Sequence, residues 1–251
     1  MSERIPVDAL VGVKAARLIC WPEATLEVIA DRVEELIGLG VHAIILTGRH
    51  KVAEMRVLGK GHTGLVLTAE TREGLLALKA RRSDADRSSM VEEARLLSAA
   101  NAVGVGPRLH SWSTNFLMME LTEGIYLSEW IRELTPEDGG ELKRVLAAVT
   151  DQARCLDVAR IDHGELVRLR RHIILSRDGP VIIDFESAST ERRPANVTTV
   201  IQSLFLNTKA SAVIEGLIGL PDREELMVAL RAYKVEMSDE RYLRLRAVAR
   251  L

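Results

Sequence analysis

The chain has 251 residues, 47% of them hydrophobic, with 34 basic residues against 36 acidic ones; that is enough for one large domain or two small lobes, and the charge balance argues against a dedicated nucleic-acid or membrane-surface protein. Cys20 and Cys155 are its only cysteines, with no Cys-x-x-Cys pair and no Cys/His cluster, so neither a disulfide framework nor a structural zinc site is expected. The N-terminus carries no apolar signal core and no run approaches a membrane span, so the expectation is a soluble cytoplasmic protein with no membrane partner.

Trp21-Pro22-Glu23 precedes Leu26, Ile29, Ala30, Val33, Leu36 and Ile37, spacings of three and four that predict a helix with a proline at its start. Gly38 and Gly40 end it, and Ala43–Leu46 reads as a strand. Three strand-like runs follow with turn signals between them, around 55–58, 64–68 and 75–79, which predicts an antiparallel meander. Ser89 and Glu92 fit a capping box, opening a helix whose apolar stripe is Met90, Ala94 and Leu97. Phe116–Leu121 reads as a buried strand. After Gly124 the pattern turns helical: 127–134, a turn or helix start at 135–138, and a longer helix over 142–156. Two strands flank a turn at 173–175 and 181–183, and 196–251 reads as helical. The expected fold class is α+β. Residues 1–50 form a helix–strand extension, 51–122 a small antiparallel β lobe and 123–251 a larger helical lobe.

The turn Leu58-Gly59-Lys60-Gly61-His62-Thr63-Gly64 is a G-x-G-x-x-G. A dinucleotide-binding turn needs a helix directly after it, and a Walker loop needs Gly-Lys-Ser/Thr at its end. Here Gly64 opens a strand instead. Two readings stay open: a plain hairpin turn, or a hairpin whose Gly59, Gly61 and Gly64 let backbone N–H groups approach phosphate oxygens.

Lys79 closes the strand Leu75-Leu76-Ala77-Leu78-Lys79, soon after that loop. Such a lysine suits contact with α- and β-phosphates, provided a carboxylate holds its ammonium group. Glu92 has the capping role, while Glu93 shares the inward face of Met90 and Leu97, so the ion pair is assigned to Glu93. The plainer reading is a solvated edge lysine. In the second half, Ile182-Ile183-Asp184-Phe185-Glu186 delivers Asp184 from an apolar strand to a turn, where a metal-binding aspartate would sit. Glu165, in His163-Gly164-Glu165, is the candidate for orienting or deprotonating an acceptor hydroxyl, and His163 reads as a hydrogen-bonded structural histidine.

The ordered set Gly59/Gly61/Gly64, Lys79, Glu93, Met119-Glu120, His163-Gly164-Glu165 and Asp184-Phe185-Glu186 resembles the protein-kinase-like superfamily. It looks closest to the atypical archaeal serine/threonine kinases, relatives of the RIO kinases and the KEOPS-complex kinase. The resemblance covers about residues 50–190, and the N-terminal segment is similar to the archaeal group as well. It implies a two-lobed fold, ATP, a divalent metal (Mg or Mn), and adenine held by backbone groups near Glu120 to Glu123. It implies catalytic roles for Glu165, Lys79 and Asp184. The chain departs from the family in four places, one of them Glu186, which stands where typical protein kinases have Gly. Glu165 stands where the family has Asp, a displacement of about 1.5 Å for the carboxylate. Arg170 stands where the family has the metal-binding Asn; His172, two residues on, either replaces that Asn after an insertion or only packs. No Ala-Pro-Glu motif follows Glu186. Arg168, Arg170 and Arg171 either include a contact to the γ-phosphate or form a solvated face. Three functions stay open: an atypical serine/threonine kinase acting on a protein, a small-molecule kinase of the aminoglycoside or choline type, and a nucleotide-binding pseudokinase acting as an assembly factor.

Overall fold

A computed structural model describes residues 3–251, apart from the side chains of Arg170 and of residues 208–210. The chain divides into two compact units, Met1–Ser98 with Pro107–Leu121, and Ala99–Gly106 with Thr122–Leu251. Among the described residues no helix is long and apolar enough to cross a membrane.

The first unit contains β1 (Glu3–Pro6), α1 (Leu26–Gly38), β2 (Ala43–Leu46), β3 (His50–Val52), β4 (Met55–Val57), β5 (Gly59–Lys60), β6 (Gly64–Thr71), β7 (Gly74–Arg81), most of α2 (Val91–Asn101), β8 (Leu109–Trp112) and β9 (Phe116–Glu120). One antiparallel sheet runs β1-β2-β6-β7-β9-β8, with β5 added to β6. Strand alternation sorts its side chains. Leu65, Leu67 and Ala69 of β6, Leu76, Leu78 and Ala80 of β7, and Phe116 and Met118 of β9 enter one core with Ile29, Val33 and Leu36 of α1. The intervening residues, Lys79 among them, therefore face the other side.

Residues 1–50 do not form a separate extension. Their strand β2 pairs with β6, and their apolar side chains share the β lobe's core, because an isolated helix and strand could not bury both faces. The helix α1 starts at Leu26 with Thr25 as its cap, accepting from the Val28 N–H at 3.3 Å; Pro22 lies outside it. Its buried stripe is narrower than its apolar pattern, since Leu26 and Ile37 are exposed. The run at 55–57 pairs with His50–Val52, so the meander is β5, β6 and β7. The Glu92 carboxylate is held by Arg95 at 2.7 and 3.0 Å, while the Ser89 hydroxyl accepts from the Val91 N–H.

The second unit contains β10 (Ile125–Tyr126), α3 (Leu127–Glu133), α4 (Gly139–Val158), β11 (Ile173–Ser176), β12 (Gly179–Ile182), α5 (Asn196–Phe205), α6 (Thr208–Ile218), α7 (Arg223–Val235) and α8 (Asp239–Ala249). Strands β10, β11 and β12 form a small antiparallel sheet. A short 3-10 segment, Leu166–Arg171, leads into β11. Helices α4 and α5 bury Leu146, Val149, Ala153 and Leu156 with Val197, Val200, Ile201 and Leu204. At their junction the buried Asp157 carboxylate accepts from the Asn196 N–H and Nδ2, each at 2.9 Å, from the Val197 N–H at 3.2 Å, and from the Tyr233 hydroxyl at 2.9 Å. Burial pushes this carboxyl's pKa up, more than the four donors pull it down. This hub ties α4, α5 and α7 to the loop that carries Glu165.

Candidate functional site

In the first unit, strand register places Lys79 opposite Val66 on β6 and Leu117 on β9. Its ammonium group reaches Glu93 Oε1 at 2.7 Å, and Arg87 Nη1 stands 3.5 Å from Glu93 Oε2. The Lys79 and Glu93 side chains are only 5% and 2% exposed. An ion pair this buried gives up two hydration shells and stabilises a fold poorly. Gly64 leaves room for the lysine stem, because a Cβ there would stand 2.9 Å from the Ala80 carbonyl oxygen and 3.1 Å from Lys79 Cγ. In the glycine turn the Gly61 N–H donates to the Gly64 carbonyl at 2.8 Å, so that donor is committed within the hairpin, while a Cβ at Gly59 would meet only ordinary contacts. Glu120 ends β9; its N–H donates to the Arg108 carbonyl and its carboxylate accepts from the Arg108 N–H, which pins the strand end.

In the second unit, three sequence-selected residues come together. Glu165 Oε2 lies 3.0 Å from His172 Nε2, and His172 Nδ1 lies 3.8 Å from Asp184 Oδ2. One ligand atom from each lies within 4.8 Å of the others. The β11–β12 hairpin presents two of them: the Ile183 N–H donates to the His172 carbonyl at 2.9 Å, and Asp184 follows directly. Asp184 takes a left-handed backbone, φ 71°. An aspartate tolerates that conformation better than a branched residue, and such residues gather at functional sites.

Glu165 is positioned by His163. The Glu165 N–H donates to His163 Nδ1 at 3.4 Å, which leaves the proton on Nε2 to donate to the Ile183 carbonyl at 3.1 Å. The His163 N–H donates to Asn196 Oδ1 at 2.9 Å, linking the loop to the Asp157 hub. The His163 ring packs edge-on against Phe185. Gly164 has φ +82°, and a Cβ there would stand 2.6 Å from the Ser187 carbonyl oxygen, so the loop needs glycine. Paired 2.8 Å hydrogen bonds between Asp162 and Ser189 clamp the two loops.

Burial, aided by nearby His172, holds the His163 pKa down to about 4, against a backbone bond that pulls upward. His163 therefore stays neutral when folded and charges more easily when unfolded. In metal-free buffer, the unfolding free energy is expected to fall as pH drops from about 6.5 towards 4. The full span is about 3 kcal/mol, from 6.5 minus 4 at 1.36 kcal/mol per pH unit. Chemical denaturation across this range checks it, and a His163→Gln variant should lose that part of the slope.

Glu165 is occupied in this arrangement. Besides His172, its Oε1 accepts from the Ser187 hydroxyl at 3.2 Å and lies 3.9 Å from Arg168 Nη1. Arg168 and Arg171 are exposed, and the Arg170 side chain lies outside the described residues. Sequence reasoning missed Ser187, three residues after Asp184, and Asn196, whose side-chain oxygen accepts from the His163 N–H and so steadies the loop that carries Glu165. An asparagine opening the apolar helical run Val197, Val200, Ile201 and Leu204 was the available signal for the second.

No protein-family model matches the chain, and no curated protein matches it. Its function therefore rests on the residues and their geometry.

Proposed function

We propose that the chain is an ATP-dependent phosphotransferase with a two-lobed protein-kinase-like architecture, acting as an atypical serine/threonine kinase. The buried Lys79–Glu93 pair at 2.7 Å carries this reading. A strand lysine held by a helix carboxylate has little value for stability, and phosphate contact is what such a pair is suited to. The antiparallel sheet and the helix-rich second unit support the same fold assignment.

In this reading Lys79 would neutralise phosphate oxygens of ATP, and Asp184 with His172 would hold Mg or Mn. The fit of the metal is supported by His172 Nδ1, which is buried, has no hydrogen-bond partner among the described residues and lies 3.8 Å from Asp184 Oδ2. A divalent ion there would offset charge on the transferring phosphoryl group. The acceptor hydroxyl attacks the γ-phosphorus, the bond to the β–γ bridging oxygen breaks, and Glu165 receives the hydroxyl proton. Phosphoryl transfer asks for positioning and charge neutralisation more than for a strong base, so a longer acid than Asp serves.

The pseudokinase reading draws on one observation: Glu165 already engages His172 and Ser187. Labelled ATP presented with protein acceptors, hydroxylated small molecules and the chain itself decides between them. Single-turnover appearance of label on an acceptor is the expected result. Nucleotide binding without transfer to any of these would leave the assembly-factor reading.

A further inference from the structure

We infer that Ser187 is a phosphate acceptor within the chain itself: its hydroxyl takes the γ-phosphoryl group of ATP, and Glu165 of the same molecule receives the proton. This rests on the phosphotransferase reading and names an acceptor for it.

A general base must lie within hydrogen-bond reach of the proton it receives. The Ser187 hydroxyl meets that condition, because it donates to Glu165 Oε1 at 3.2 Å. The carboxylate's other oxygen, Oε2, lies 3.0 Å from His172 Nε2, so the two oxygens have separate partners. Ser187 follows Asp184 by three residues, and its side chain is half-buried, open enough to react.

The approach of Ser187 to the Glu165 loop is built into the backbone. A Cβ at Gly164 would stand 2.6 Å from the Ser187 carbonyl oxygen, so any other residue there would push the two loops apart. The same carbonyl accepts from Arg192 Nη2 at 2.5 Å, and Arg192 Nε donates to Asp162 at 2.8 Å. With the paired Asp162–Ser189 bonds, these contacts hold the Ser187 backbone and leave its hydroxyl to turn about one side-chain bond. An acceptor already held beside its base has little freedom left to lose on reaching the phosphorus, which is the advantage of an intramolecular reaction.

Ser189, in the same loop, shows the contrast. Its hydroxyl oxygen accepts from the Glu191 and Arg192 N–H groups at 3.1 and 3.3 Å, the behaviour of a turn-closing serine. Ser187 instead donates to a carboxylate. In the step, the Ser187 oxygen attacks the γ-phosphorus, the bond to the β–γ bridging oxygen breaks with its electron pair leaving on ADP, and the hydroxyl proton passes to Glu165. The exposed Arg168, 3.9 Å from the same Glu165 oxygen, offers the new phosphate a guanidinium partner.

The competing account is that the Ser187 hydroxyl only positions Glu165 for an outside acceptor. Incubating the full chain with labelled ATP and Mg²⁺ or Mn²⁺, then locating the phosphate by fragmentation mass spectrometry, separates the two. The tryptic peptide 178–192 holds Ser187, Ser189 and Thr190. Phosphate is expected on Ser187 and not on Ser189, and Ser187→Ala should lose this label. The first-order rate constant should stay unchanged on tenfold dilution of the protein, as an intramolecular step requires. A tagged Lys79→Met chain mixed with the unaltered chain should gain no label. Label confined to other residues, a rate that falls with dilution, or label on the tagged chain overturns the inference. Transfer to an added acceptor while Ser187 stays unlabelled overturns it too, yet leaves the phosphotransferase reading standing; bound ATP with label nowhere defeats both.

Discussion

Lys79→Met is expected to lower single-turnover phosphate transfer from ATP by about 10²–10³-fold, the scale for losing one charge-stabilising donor at a reacting phosphoryl group. The same substitution leaves the Glu93 carboxylate buried without its 2.7 Å partner. Breaking one half of a buried pair costs about 3–5 kcal/mol, so lost activity by itself would not separate chemistry from folding. The double variant Lys79→Met with Glu93→Gln makes the separation. It removes both charges, and neutral side chains of similar volume should restore much of the stability that the single variant loses. Activity should stay as low as in the single variant. Denaturation midpoints measured beside transfer rates check both halves. A double variant that regains transfer along with its stability would show that the pair serves the fold alone.

The Lys79–Glu93 pairing was legible because two periodicities meet there. Alternation along β7 sends Lys79 to the side away from Leu76, Leu78 and Ala80, and the helical spacing of Met90, Ala94 and Leu97 sends Glu93 inward with them. Such patterns are local, and local patterns survive in sequence. The same rule overreached at α1, where Leu26 and Ile37 fit the helical spacing yet lie exposed; periodicity reports a face but not how wide the covering core is. His172 was visible only as one of two readings, replacement or packing, since its offset from Glu165 says nothing about where a 3-10 segment turns the chain. The short strands β1 and β8 offered too few residues to show alternation. The Gly59 position read as part of a phosphate cradle, yet a side chain there would meet no close contact; a glycine's identity in sequence does not say whether its missing Cβ is needed.

The least legible feature was the hub at Asp157, whose partners Asn196 and Tyr233 lie 39 and 76 positions along the chain. Polar residues on helices repeat with no period when their partners are distant, so nothing in the sequence ties these three together. Asp157→Leu is expected to destabilise the chain by about 3–5 kcal/mol, because it strands several buried donors at once. Those donors are the Asn196 N–H, one bond of its Nδ2, the Val197 N–H and the Tyr233 hydroxyl. Tyr233→Phe removes one of the four and should cost about 1 kcal/mol. The hub also reaches the candidate site, since Asn196 accepts from the His163 N–H and His163 accepts from the Glu165 N–H. Asp157→Asn keeps the shape and an acceptor oxygen, so it should fall between the two in stability. Urea unfolding of the three variants orders them. If Asp157→Leu costs no more than Tyr233→Phe, the four hydrogen bonds do not hold the helices together.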